Sequence, residues 1–159
     1  MNWSDRQHVL ELKIPPAVLV ALTGALMWLA ATATPAAALV IPGRRWGTAI
    51  LMLTGVVISA LGFAAFRRAR TTVNPMKPGS ASVLVAGGIY RLTRNPMYLG
   101  FLVGLLGWGV WLANIVAFLL LPAFVFYMNR FQIAPEERAL VARFGPAFVA
   151  YQTRVRRWL

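Results

Sequence analysis

Three long stretches of this 159-residue chain carry no charge at all: Ile14–Pro42, Trp46–Phe66 and Asn95–Asn129. Nothing constrains the fold more. A helix crossing the ~30 Å hydrocarbon core of a bilayer needs about 20 predominantly apolar residues, and each block is long enough to supply them. Backbone groups inside lipid must be satisfied within the chain, so such blocks fold as helices. The expected fold class is therefore an all-α integral membrane protein with about four transmembrane helices.

Turn residues divide the blocks. The first helix is predicted from Pro16, a residue type tolerated in a first turn, to Thr34, where Pro35 ends it. Ile41-Pro42-Gly43-Arg44-Arg45 reads as a turn. The second helix is predicted over Trp46–Phe66, stopping at the basic cluster Arg67, Arg68 and Arg70. Residues 71–88 are rich in Pro, Gly, Ser and Thr and read as an irregular connector, with a short strand-like or hairpin piece at Ser82–Ala86. The third block is too long for one ordinary helix. Trp111-Leu112-Ala113-Asn114 is its best internal break, giving helices near 97–111 and 115–132. At 1.5 Å per residue the first of these is only about 22 Å long, so the two form a tight hairpin in which it depends on packing against its partner. Gly100 and Gly104 form a GxxxG, with Gly107 and Gly109 close behind, and allow backbones to approach.

Sixteen Lys and Arg against four Asp and Glu raise the question of nucleic acid. The basic residues flank the apolar blocks instead of covering one face of a soluble fold, so anionic lipid headgroups and the positive-inside bias explain them, and no nucleic-acid partner is expected. Arg44 and Arg45 are the only basic residues in the first interhelical turn. All others fall in the N-terminal segment, the connector or the region from Arg130 onward, which orients both termini and the connector to the cytoplasm. There are no cysteines, hence no thiol nucleophile, disulfide or thiolate metal site. The single histidine, His8, lies in the polar N-terminal segment, and no metal site is expected. Ala31-Thr32-Ala33 resembles a signal-peptide cleavage site, but Asp5 and Glu11 and the length of the apolar run favour a retained span.

After Arg130 the chain reads FQIAPEERALVARFGPAFVAYQTRVRRWL. Pro135 suits a first helical position and Gly145-Pro146 a break, so amphipathic helices are predicted over about 135–144 and 146–156. Glu137, Leu140, Val141 and Phe144 share one face of the first, and Phe148, Tyr151 and Val155 one face of the second. Glu136 and Glu137 are half of the protein's acids. They suit a first turn electrostatically, yet adjacent acids in so basic a region also suit a cationic or hydroxylic ligand. The stretch GGIYRLTRNPMYLG, residues 87–100, has the same double character. Its arginines and tyrosines are ordinary interface anchors, while a Gly-Gly turn, an arginine and a Pro-initiated helix also form an anion pocket.

Two motifs taken together bear on this choice. Gly88, Tyr90, Arg91, Arg94, Asn95, Pro96, Tyr98 and Gly100 are followed, across the apolar hairpin, by Glu136, Glu137, Arg138, Leu140, Phe144, Gly145, Phe148 and Tyr151. In this order the pattern resembles the isoprenylcysteine carboxyl methyltransferase and phospholipid methyltransferase superfamily over residues 87–157. The resemblance implies a small membrane enzyme that uses S-adenosyl-L-methionine, with 1–66 as two N-terminal helices and 67–159 as the catalytic part of a single domain. It implies cofactor contacts from Gly88, Tyr90, Arg94, Asn95, Pro96, Tyr98, Glu136 and Glu137, and a catalytic role for Arg94, Asn95 and Tyr98. The implied acceptor is a lipophilic small molecule or lipid, most like the carboxyl of an isoprenylcysteine. A phospholipid amine, a small thiol and a non-catalytic membrane assembly or transport role are the alternatives. Many relatives carry His at the position of Asn95, which keeps hydrogen bonding but cannot act as a base near neutral pH.

Overall fold

Every regular element in the computed structural model of this chain is helical, over the described residues 11–71 and 81–159. Asp5, His8 and residues 72–80 of the connector lie outside the described residues. Helix α1 spans Pro16–Ala33 and α2 spans Arg44–Arg68. Helix α3 spans Pro96–Leu112, α4 Ile115–Phe118 and α5 Leu120–Tyr127. A π-helical segment, Met128–Ile133, joins α5 to α6 at Ala134–Phe144, and α7 covers Pro146–Arg154. Helices α1 and α2 and the continuous rod Ile115–Phe144 are long and apolar enough to cross a membrane; α3, with 17 residues, is the shorter apolar helix.

Three local boundaries differ from the sequence expectation, each for a physical reason. Helix α2 begins at Arg44, not Trp46, because Gly43 takes the left-handed conformation (φ 67°) and completes the turn alone. Ser82–Ala86 forms no strand. Among the described residues no strand is present to pair with it, and Leu84 and Ala86 pack instead on Phe148, Tyr151 and Val155. Helix α7 stops at Arg154, and Val155 is extended as the tail turns back.

Pro135 stands in the first turn of α6, as its residue type suggests, but that helix continues directly from the π segment and has no free N-terminus. The rod runs straight through it. A proline inside an α-helix lacks its N–H and crowds the carbonyl four residues earlier, here Phe131. The wider π-helical turn over Met128–Ile133 relieves that conflict, and the Phe131 carbonyl accepts the backbone N–H of Leu12 at 3.1 Å. Consequently Glu136 and Glu137 do not sit at a free helix N-terminus, and the macrodipole explanation for them loses its basis.

The break near 111–114 falls where expected. Ala113 is left-handed (φ 49°), and the Asn114 side chain caps α4 by accepting from the N–H groups of Val116 and Ala117 at 2.9 and 3.3 Å. Its amide donates to the Thr34 carbonyl at 2.8 Å, pinning the tip of the hairpin to the end of α1.

The closest packing of α3 is with α2 rather than with the helix that follows it. A Cβ on Gly55 would lie 2.5 Å from the Gly100 carbonyl oxygen and 2.9 Å from the Gly104 nitrogen. The GxxxG of α3 thus meets a glycine of α2. Inside the bundle, Met27, Tyr98, Leu105, Ala117, Phe124, Met128 and Ile133 form the main core. Leu22, Leu26 and Leu29 of α1 and Ile50, Leu53 and Val56 of α2 point outward, as lipid-facing surfaces of an integral membrane protein do.

Candidate active site

At one end of the bundle, the turn leading into α3 meets α6, α7 and the C-terminal tail. Gly88 is left-handed (φ 61°) and opens a 3₁₀ turn, Gly88–Arg91, that drives Tyr90 inward. Tyr90 is 5% exposed, its ring standing edge-on to Phe66 with centroids 5.4 Å apart. Its carbonyl accepts the Tyr151 hydroxyl at 2.7 Å. Burial raises the Tyr90 phenol above the ordinary tyrosine range, helped by neighbouring Tyr151 and Glu136. Burial likewise pushes Tyr151 up to about 12, against the downward pull of the Arg94 charge. Both phenols therefore remain neutral at ordinary pH.

The next residues are held by the tail. The Arg94 N–H donates to the Arg156 carbonyl at 3.0 Å. The Thr93 hydroxyl and the Asn95 amide both donate to the Arg157 carbonyl, at 3.2 and 2.9 Å. Pro96 is fully buried at the start of α3. Half a turn on, the Tyr98 hydroxyl donates to Glu136 Oε1, which also receives Gln132 Nε2. Glu136 thus meets two neutral donors, and no cation bridges it among the described residues. Glu137 behaves oppositely. Arg94 Nη2 lies 3.1 Å from its Oε1, while Arg157 approaches Oε1 through Nε at 3.2 Å and Oε2 through Nη2.

These groups border a cleft of about 100 Å³. Tyr90, Arg94, Asn95, Tyr98 and Glu136 line it, with Phe66, Phe144, Phe148 and Tyr151 among its aromatic walls. Three of the residues singled out in the sequence lie elsewhere: Gly88 shapes the preceding turn, Pro96 is buried at the start of α3, and Glu137 is taken up by two arginines. Arg94 Nε is buried and has no hydrogen-bond partner among the described residues. Val141, placed by the helical pattern on the inner face of α6, is 38% exposed. Leu140 and Phe144 pack on the α7 cluster of Phe148, Tyr151 and Val155, and Val141 is not part of that packing.

Gln132, Thr93 and Arg157 were not evident in the sequence. Gln132 stands one helical turn before Glu136, a spacing that offers a usable signal. Arg157 offers none, because its position depends on the tail folding back.

A second space, an apolar groove of about 710 Å³, runs along α3. Gly24 and Trp28 of α1, Gly55 and Ser59 of α2, and Phe101 and Gly104 of α3 border it. Its polar groups are already paired: Ser59 Oγ donates to the Met97 carbonyl at 3.2 Å and Trp108 Nε1 to the Gly24 carbonyl at 3.0 Å. The rings of Tyr98 in the cleft and Phe101 in the groove are 6.5 Å apart.

Comparison with known proteins bears on this arrangement. The phospholipid methyltransferase family matches residues 44–147. A Haemophilus influenzae protein described as uncharacterized is 46% identical over 63 residues, covering 40% of this chain and all of that protein. The protein-S-isoprenylcysteine O-methyltransferase of Schizosaccharomyces pombe is 36% identical over 73 residues, 46% of this chain and 31% of that enzyme. The chain thus matches less than a third of the yeast relative's length. No solved structure matches.

Proposed function

Since the chain belongs to the phospholipid methyltransferase family, a membrane methyltransferase class, we propose that it transfers the methyl group of S-adenosylmethionine to a lipophilic acceptor at the cytoplasmic face of the membrane. The observation that carries this reading is the convergence of Arg94, Tyr98 and Glu136 on one cleft that adjoins an apolar groove.

The donor set suits the cofactor chemically. Glu136 offers a carboxylate edge to ribose hydroxyls or an α-amino group, and Arg94 Nε offers an N–H to a carboxylate. Tyr90, Phe144 and Phe148 supply ring faces for a purine or a sulfonium. The enclosed space is smaller than the roughly 300 Å³ at which small-molecule pockets begin, so the lining must move apart on binding. When bound, the cofactor supplies an electrophilic methyl group on a sulfonium. The protein's part is to orient it, exclude water and align the acceptor, which favours a transfer in which opposite charges cancel. Tyr98 and Gln132 hold Glu136 in place, and the Tyr151 hydroxyl ties α7 to the Tyr90 carbonyl.

The groove suits the acceptor's hydrocarbon portion, because its polar groups are already paired and its Phe101 neighbours Tyr98 of the cleft. A carboxyl acceptor is the first reading, since a carboxylate needs no base, and Asn95 cannot supply one. Methylation of a phospholipid amine is the second, favoured by the family description. Residues 67–159 would form the catalytic part of a single domain, with α1 and α2 completing the groove. Labelled methyl groups from S-adenosylmethionine should enter the lipid extract of membranes containing the protein. Base-labile label identifies an ester, label in headgroup amines identifies the second reading, and no label above control membranes removes both.

A further inference from the structure

The C-terminal tail does more than close the fold. Arg157 clamps Glu137 through two nitrogens, Nε and Nη2, one on each carboxylate oxygen. Glu137 in turn takes Arg94 Nη2 at 3.1 Å, and the side chains of Glu137 and Arg94 are each 13% exposed. The backbone of the tail works in the same direction. The Arg156 carbonyl receives the Arg94 N–H, and the Arg157 carbonyl receives Thr93 and Asn95 on either side of it. The tail thus holds Arg94 directly at its main chain and, through Glu137, at one guanidinium nitrogen. A guanidinium is planar, so fixing Nη2 fixes the direction of Nε. Nε is buried and lacks a partner among the described residues, and the side chain borders the cleft.

We propose that Arg157 is a positioning residue: through Glu137 it sets the Arg94 guanidinium so that its free Nε–H serves a carboxylate in the cleft. Resting on the cofactor reading above, that carboxylate is the amino-acid end of the S-adenosyl compound. Glu137 is then a strut between two arginines and does not itself contact the cofactor. A buried donor without a partner is uncommon in folded proteins, and an anionic oxygen in the cleft accounts for this one.

Two ligands separate this role from general support of the fold. S-adenosylhomocysteine carries the carboxylate, and 5′-methylthioadenosine lacks the amino-acid portion. Calorimetric titration of the full chain in lipid nanodiscs should show Arg157→Ala weakening S-adenosylhomocysteine by about tenfold, the scale of one charge-assisted hydrogen bond. Binding of 5′-methylthioadenosine should stay unchanged. Arg157→Lys, which restores charge without the fork, should fall between. Glu137→Gln keeps the shape of the strut and should show the same selective loss, which preserves the test if Arg157→Ala fails to fold. Unchanged S-adenosylhomocysteine affinity in both variants overturns the inference, and so does an equal loss for both ligands. If the wild type binds 5′-methylthioadenosine but not S-adenosylhomocysteine, the positioning role fails while a nucleoside site survives. If it binds neither, the cofactor reading itself fails, and this inference falls with it.

Discussion

The Tyr98 hydroxyl donates to Glu136, joining the first turn of α3 to a helix 38 residues further along the chain. That bond ties together the two motifs that are separated in sequence by the whole apolar hairpin. It also makes the cleft depend on the relative placement of α3 and the rod Ile115–Phe144.

Removing the carboxylate should therefore affect binding more than folding. Glu136→Ala is expected to weaken S-adenosylhomocysteine by about tenfold to a hundredfold, the range for losing one or two hydrogen bonds to a charged group. Tyr98→Phe, which leaves the carboxylate but removes one donor, should cost less. Titration calorimetry checks both, and equal affinity for wild type and Glu136→Ala would exclude Glu136 from the cofactor site.

The contact of α2 with α3 sets Gly55 of α2 apart from Gly104 of α3. Gly55→Ala would force a methyl group against the Gly100 backbone, and overpacking of this kind costs about 1–3 kcal/mol. A Cβ on Gly104 meets nothing within 4 Å, so Gly104→Ala should be neutral or slightly stabilising. Thermal unfolding in detergent distinguishes them. Equal sensitivity at both positions would contradict the packing described.

Pro135 offers a third test. With Pro135→Ala the missing N–H returns, and the π segment is free to relax toward α-helix. Stability should hold or rise, while cofactor binding should fall, because losing the wider turn rotates Glu136 relative to Tyr98 of α3. Amide hydrogen exchange over residues 128–136 reports the first effect and titration the second. A variant with unaltered exchange and unaltered binding would show that the π segment does not depend on the proline.

The Tyr151–Tyr90 link predicts a particular dependence on pH. The folded-state value of Tyr151 is raised to about 12, above the ordinary value of about 10. Its contribution to stability is fully present below pH ~10 and is lost as pH rises toward 12. Tyr151→Phe should remove this loss as well as the bond, flattening the alkaline limb of a stability profile relative to the wild type.

Much of this organisation is legible in the chain itself, and the reasons differ by element. The charge-free blocks dictate helices because lipid permits little else, and Asn114 announces a break because Asn caps helices so well. Tyr90, Arg94, Asn95, Tyr98 and Glu136 stand out through the family resemblance of their two motifs, since type and spacing alone fit interface anchors equally well, and the fold gathers them around one cleft. Pro135 is ambiguous in principle: proline both begins helices and distorts them, and only the acceptance of Leu12 by the freed Phe131 carbonyl shows which happens here. The pairing of Gly55 with Gly100, and the path of the tail that brings Arg157 to Glu137, are long-range contacts that leave no local periodicity to read.

Methyl transfer itself is tested most directly in membranes. Vesicles from cells producing the wild-type chain or Glu136→Ala would be incubated with methyl-labelled S-adenosylmethionine, and the lipid extract counted before and after mild base. A carboxyl methyltransferase should yield base-labile label with the wild type and little with the variant. Label that is absent with the wild type, or equal for the two proteins, would contradict the assignment of catalysis to this cleft.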